Sequence, residues 1–108
     1  MDEAEADEAE IRAAMARLAA TPVADIIANH AIGLWQLAVL HLGLGGDVVP
    51  DLEQAALALD AMAALVDGLG DRVGEHAGAL RDALAQLRLA YVQVAQAGGA
   101  SPDEAPPG

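Results

Sequence analysis

Cysteine, lysine and phenylalanine are missing from this chain of 108 residues, and serine occurs only at Ser101. Without Cys there is no disulfide framework, no thiolate metal site and no thiol nucleophile. Ser101 sits in a Gly- and Pro-rich end, so Ser-His-Asp chemistry has no nucleophile on a rigid element. Positive charge is scarce as well: Arg12, Arg17, Arg72, Arg81 and Arg88 stand against seventeen acidic residues, a formal net charge of -12. Neutralising phosphates takes a cluster of Lys or Arg on one face. No direct nucleic-acid binding is therefore expected, and anionic lipid headgroups would repel the chain. Aromatic residues reduce to Trp35 and Tyr91, which at apolar helical positions read as core or interface anchors rather than ligand stackers. A basic leader followed by an apolar stretch is also lacking. The sequence opens MDEAEADEAE, the opposite of a secretory signal, and the expected compartment is the cytoplasm.

What the chain does contain is apolar and uncharged. Between Asp25 and Asp47 it runs twenty-one residues with no formal charge. One domain is the natural reading at this length, and a single small core is only marginally stable, which oligomerisation commonly offsets. Composition and periodicity divide the chain into residues 1-20, an acidic leader with a short amphipathic helix; residues 21-97, a helical domain; and residues 98-108, a Gly- and Pro-rich tail expected to be disordered. In the leader, six carboxylates precede Ile11, Met15 and Leu18, which recur at i, i+4, i+7. The acids suit the positive end of that helix, Glu8 is spaced to pair with Arg12, and the first turns are expected to fray. The acidic run itself reads as a solubilising segment.

Thr21 and Pro22 read as the N-cap and first turn of a second helix that runs to about Leu42 and is stopped by Gly43, Gly45 and Gly46. Asp51 opens D-L-E-Q, a variant of the capping box, so a third helix starts at Leu52. Its apolar stripe is Leu52, Ala55, Leu59, Met62, Val66 and Leu69, ending at Gly68 and Gly70. The fourth helix, from about Glu75 to Ala97, repeats the pattern with Ala77, Leu80, Leu84, Leu87, Tyr91 and Val94. Folded antiparallel about Gly74, the two stripes meet in one constant register, Ala55 with Tyr91, Leu59 with Leu87, Met62 with Leu84. Asp60 with Arg88 and Asp67 with Arg81 are expected to pair across the same seam, at roughly 0 to 1 kcal/mol each if exposed.

The second helix needs more cover than one hairpin supplies. At about 100° per residue its polar side chains Asp25, Asn29 and Gln36 occupy a stripe roughly 40° wide, with Ile32 at its edge. A helix apolar on nearly every side is surrounded by other helices or by lipid. From Pro22 to Leu42 it is about 31 Å long, enough to span a bilayer. Asn29, His30, Gln36 and His41 interrupt the span, however, and its flanks Asp25, Asp47 and Asp51 are acidic with no Lys or Arg to anchor it. No membrane insertion is expected. The fold class is all-α: a long central helix plus an antiparallel helical hairpin and a short N-terminal amphipathic helix, completed as a homodimeric helical bundle. Ile27, His30, Leu34, Trp35, Leu37, Ala38 and His41 are the candidate interface residues.

Several segments resemble the bacterial domain-of-unknown-function family 1844, and its actinobacterial members most closely. They are V-A-D-I-I-A-N-H-A in the second helix, then H-L-G-L, then D-L-E-Q-A, then H-A-G-A-L-R-D-A-L-A-Q-L-R-L-A-Y, in that order. The likeness covers about Thr21 to Val94, without the acidic leader or the tail. It implies a small all-helical protein with no assigned activity, no cofactor and no catalytic residues to carry over.

Reactive side chains yield no site on their own spacing. His30 and His41 lie within about 20° of one another around the helix but about 16 Å apart along it, so one helix cannot bring both to one metal. Two copies crossing antiparallel between Trp35 and Gln36 would bring His30 of one to His41 of the other, as a paired metal or pH-sensitive site; the plainer expectation is partly buried histidines bonded to nearby carbonyls. His76, beside Glu75, reads as exposed, with no second ligand within helical reach except the loop neighbours Asp71 and Arg72. Glu53, Asp60 and Asp67 form a solvated ridge about 10 Å apart, too far for a catalytic dyad. G-L-G-G at Gly43 to Gly46 lacks the strand and the Lys of a phosphate loop. The resulting expectation is a non-enzymatic homo-oligomeric interaction module with no cofactor and no metal, serving a further protein partner as well. The alternative is a helical binding protein for a hydrophobic small molecule.

Overall fold

Asp2 accepts a hydrogen bond from the backbone N–H of Glu5 at 2.8 Å, and the first helix, α1 (Glu3–Ala20), therefore begins inside the acidic run that was expected to fray. It ends at Thr21, whose hydroxyl donates to the carbonyl of Arg17 at 2.9 Å. Thr21 thus closes α1 and does not cap the second helix as its spacing suggested; the N-cap of α2 (Val23–His41) is Pro22, with no side-chain bond. The expected Glu8–Arg12 pair is not among the ion pairs of the described residues, as suits two long solvated side chains.

This computed structural model describes residues 2-97, among which there is no strand; the tail expectation for residues 98-108 lies outside them. After α2 come α3 (Leu52–Leu69), a 3-10 segment (Gly70–His76) and α4 (Ala77–Ala97). The connection from α2 to α3 turns at Gly43 and Gly46, both at positive φ, and the N–H of Asp51 returns to the carbonyl of His41 at 2.7 Å. Asp51 then accepts from the N–H of Gln54 at 3.2 Å and caps α3, but the reciprocal half of the expected capping box, Gln54 reaching back to the N–H of Asp51, is not formed among the described residues, because the carbonyl of His41 already takes that N–H. Gly70 and Gly74, at φ 53° and 63°, turn the chain back through the 3-10 segment, whose Val73 is buried.

α2 is central: α3, α4 and the 3-10 segment all pack on it. The stripes of α3 and α4 face inward, with Ala55, Leu59, Met62 and Val66 meeting Ala77, Leu80, Leu84 and Leu87 in one buried cluster. From α2 only Ala28, Ala31 and Ala38 are buried, joined by Leu42 just past its end. Among the described residues six of the fourteen buried apolar side chains are Ala, so the helices approach closely but the core removes little apolar area from water. The hairpin forms, but its arginines pair nearer the turn than expected. Arg88 takes Asp67 at 3.0 Å instead of Asp60, and Arg81 takes Asp71 at 2.9 Å instead of Asp67. A flexible Arg arm spans a helical turn at little cost, so exposed partners are chosen by reach and not by apolar register.

Candidate functional site

α2 leaves half its circumference outside the bundle. Ile32, Leu37 and Leu40 are 45%, 47% and 45% exposed, and Leu57 of α3 is 66% exposed. Leu34, Leu37 and His41 of α2 face Gln54, Leu57, Ala58 and Ala61 of α3 across an open trough of about 280 Å³. A second hollow of about 390 Å³, lined by Asn29, His30, Gly33, Leu34 and Leu37, continues it along α2. No residue lining either hollow carries a formal charge, in a chain of net charge -12. Another trough, between α3 and α4, is edged by Asp60 and Arg88 beside Leu59, Tyr91 and Val92.

The seven interface candidates separate into two groups. His30, Leu34, Leu37 and His41 line the uncharged α2–α3 surface. Ala38 is fully buried inside the protomer and offers no atom to a second chain. Ile27 and Trp35 are half-buried and pack against the protomer's own core, and the half-buried Leu34 packs against it as well as lining the surface. The reason is the side on which α3 and α4 sit: they cover the arc of α2 that holds Ala28, Ala31, Trp35 and Ala38, a choice that the nearly uniform apolar pattern of α2 could not reveal. Leu57 and Ala61 were missed because they lie off the heptad stripe of α3. Their only sequence signal is Leu57 standing alone on an otherwise polar or Ala-rich face.

The histidines depart from expectation in different ways. His30 is exposed. His41 carries a buried Nδ1 with no hydrogen-bond partner among the described residues, where a nearby carbonyl was expected to serve. His76, read as an exposed residue without a companion, donates from Nε2 to Oδ1 of Asp25 at 2.6 Å. Asp25 stands in the first turn of α2 and His76 at the end of the 3-10 segment, fifty-one residues away. Glu75 joins them: one ligand atom from each of Asp25, Glu75 and His76 lies within 4.8 Å of the other two. Helical spacing could not find this cluster, since only the packing of the hairpin on α2 assembles it.

α1 touches none of the other helices, and its ridge residues Ile11, Met15 and Leu18 are exposed. It therefore does not cover α2. By length and composition α2 is apolar enough to cross a membrane; it is also the helix on which the remainder of the bundle is built. No family model, no curated protein and no solved structure matches this chain.

Proposed function

We propose that this protein is a non-enzymatic, homo-oligomeric interaction module whose uncharged α2–α3 surface is completed by a second copy of itself. The observation that carries this reading is a continuous surface of Leu34, Leu37 and Leu57, flanked by His30 and His41, with no Asp, Glu or Arg among its lining residues. Two copies of an acidic chain repel one another wherever their carboxylates face, so self-association is favoured through a surface without them. His30, Leu34, Leu37 and His41 fall in an arc of about 60° on α2. They are placed symmetrically about the Trp35–Gln36 bond. An antiparallel two-fold crossing there sets Leu34 of each copy against Leu37 of the other, and His30 against His41. Gly33 has open space where a Cβ would stand, which lets the second backbone come close. The Ala-rich core adds a thermodynamic reason, since burying this surface supplies apolar area that the protomer lacks.

The proposed membership of family 1844 fits this reading and adds no activity to it. In this reading the dimer is cytoplasmic and presents its remaining surface to a further protein partner. A hydrophobic small molecule ranks second as occupant, because the hollows are open troughs rather than enclosed chambers.

Light scattering on a sizing column, over a dilution series and without detergent, tests the proposal. The expected mass is twice that of the protomer. Leu37→Glu, at a position the protomer leaves half exposed, should yield a folded monomer with unchanged helical circular dichroism. A wild-type chain that is monomeric at all concentrations, or a Leu37→Glu variant that stays dimeric, overturns it; recovery only in detergent points to a membrane instead.

A further inference from the structure

The cluster of Asp25, Glu75 and His76 lies outside the proposed interface, about 140° around α2 from His30. It is built by packing. Gly74, at φ 63° and ψ -130°, redirects the chain just before Glu75, and the following two side chains meet the first turn of α2. Two carboxylates held this close repel one another. Among the described residues neither Asp25 nor Glu75 pairs with an arginine, although Arg81 and Arg88 both have acidic partners nearby. Among the described residues the groups countering them are one imidazole and, for Asp25, the N-terminal end of α2. The arrangement is short of positive charge and offers three ligand atoms that converge.

We propose that Asp25, Glu75 and His76 bind one divalent cation of the zinc class. The donor set decides the metal. One imidazole nitrogen with two carboxylate oxygens suits a borderline cation such as Zn²⁺, whereas Mg²⁺ and Ca²⁺ take all-oxygen sets of six or more ligands. In a tetrahedral zinc site donor atoms stand about 3.4 Å apart. The 4.8 Å limit on the present spacing leaves only side-chain rotations to reach that geometry, with the 2.6 Å His76–Asp25 contact opening as the cation enters. The side chains of Asp25 and His76 are 46% and 32% exposed, which leaves the fourth position to water. The bound cation would tie the start of α2 to the start of α4 and relieve the repulsion between the carboxylates.

Isothermal titration of the full-length chain with ZnCl₂, with MgCl₂ as the comparison, is the test. The acidic leader binds both cations weakly through carboxylates, so the assigned site is the component specific to Zn²⁺. One Zn²⁺ per chain is expected, with a rise in the thermal midpoint on the order of 5 °C under saturating metal. Asp25→Asn and His76→Ala should abolish the specific component. Glu75→Gln changes an exposed side chain that cannot unfold the bundle, and should weaken Zn²⁺ about tenfold. His30→Ala should leave it unchanged. Equal affinity for Mg²⁺ and Zn²⁺, specific binding that survives His76→Ala, or a Glu75→Gln variant that binds like wild type would overturn the assignment. The assigned residues belong to one protomer, so loss of Zn²⁺ binding in the Asp25, Glu75 and His76 variants is read separately from the proposed dimer.

Discussion

A Cβ on Gly43 would stand 2.7 Å from Cγ of Pro50 and 3.1 Å from the carbonyl oxygen of Val48, and the residue sits at φ 74°. Both the backbone conformation and the space require glycine here, because the loop folds back to bond Asp51 to His41. Gly43→Ala should therefore destabilise the bundle by about 1 kcal/mol or more, measured as a lowered midpoint in urea at unchanged slope. Other glycines of the same loop were read equally as helix stops, yet Gly45 has open space around it, and the sequence did not distinguish them. Charge partners show the same limit. Asp60, Asp67 and Asp71 are all within the sweep of an arginine on the facing helix, so which pair forms is set by a few ångströms of local placement. The identity of the partners was illegible even though the facing helices were correctly read.

At the scale of elements, the inward stripes of α3 and α4 were legible because burial on one side imposes a 3.6-residue period on apolar residues. Their boundaries follow from local chemistry: Asp51 caps α3, and Gly70 receives the chain at its end. α2 defied this reading because it is apolar almost all round, so periodicity could not say which arc the hairpin covers. α1 is the opposite case. Its ridge of Ile11, Met15 and Leu18 is legible in the sequence, but among the described residues it meets no other element. An 18-residue helix without tertiary contact lacks the packing that supplies most helical stability in proteins, even with a good N-cap. Removing residues 1-20 should leave the thermal midpoint of the remaining bundle within about 3 °C of the intact chain, read by circular dichroism; a much larger drop would mean that α1 packs on a neighbouring copy.

For the whole molecule, the imbalance of five basic against seventeen acidic residues opposes any association of like chains. The proposed dimer should consequently tighten as salt is raised toward about 0.15 M, where the Debye length is about 8 Å, with the dissociation constant falling in sedimentation equilibrium. A dimer that weakens with salt would mean that ion pairs, and not the uncharged α2–α3 surface, hold the copies together. The sequence by itself determined an all-helical fold, the start of α3 at Asp51 and the hairpin of α3 and α4, because caps, turns and apolar period are written in neighbouring residues; it did not show that Thr21 closes α1 or that a 3-10 segment precedes α4. Only the tertiary structure decided that Ala38 is sealed inside while Leu37 is left outside, that Arg88 takes Asp67, and that His76 finds Asp25 and Glu75. Those outcomes depend on how helices cross, and a crossing brings together residues twenty-one positions apart for Asp67 and Arg88 and fifty-one for Asp25 and His76, whose local patterns carry no record of one another.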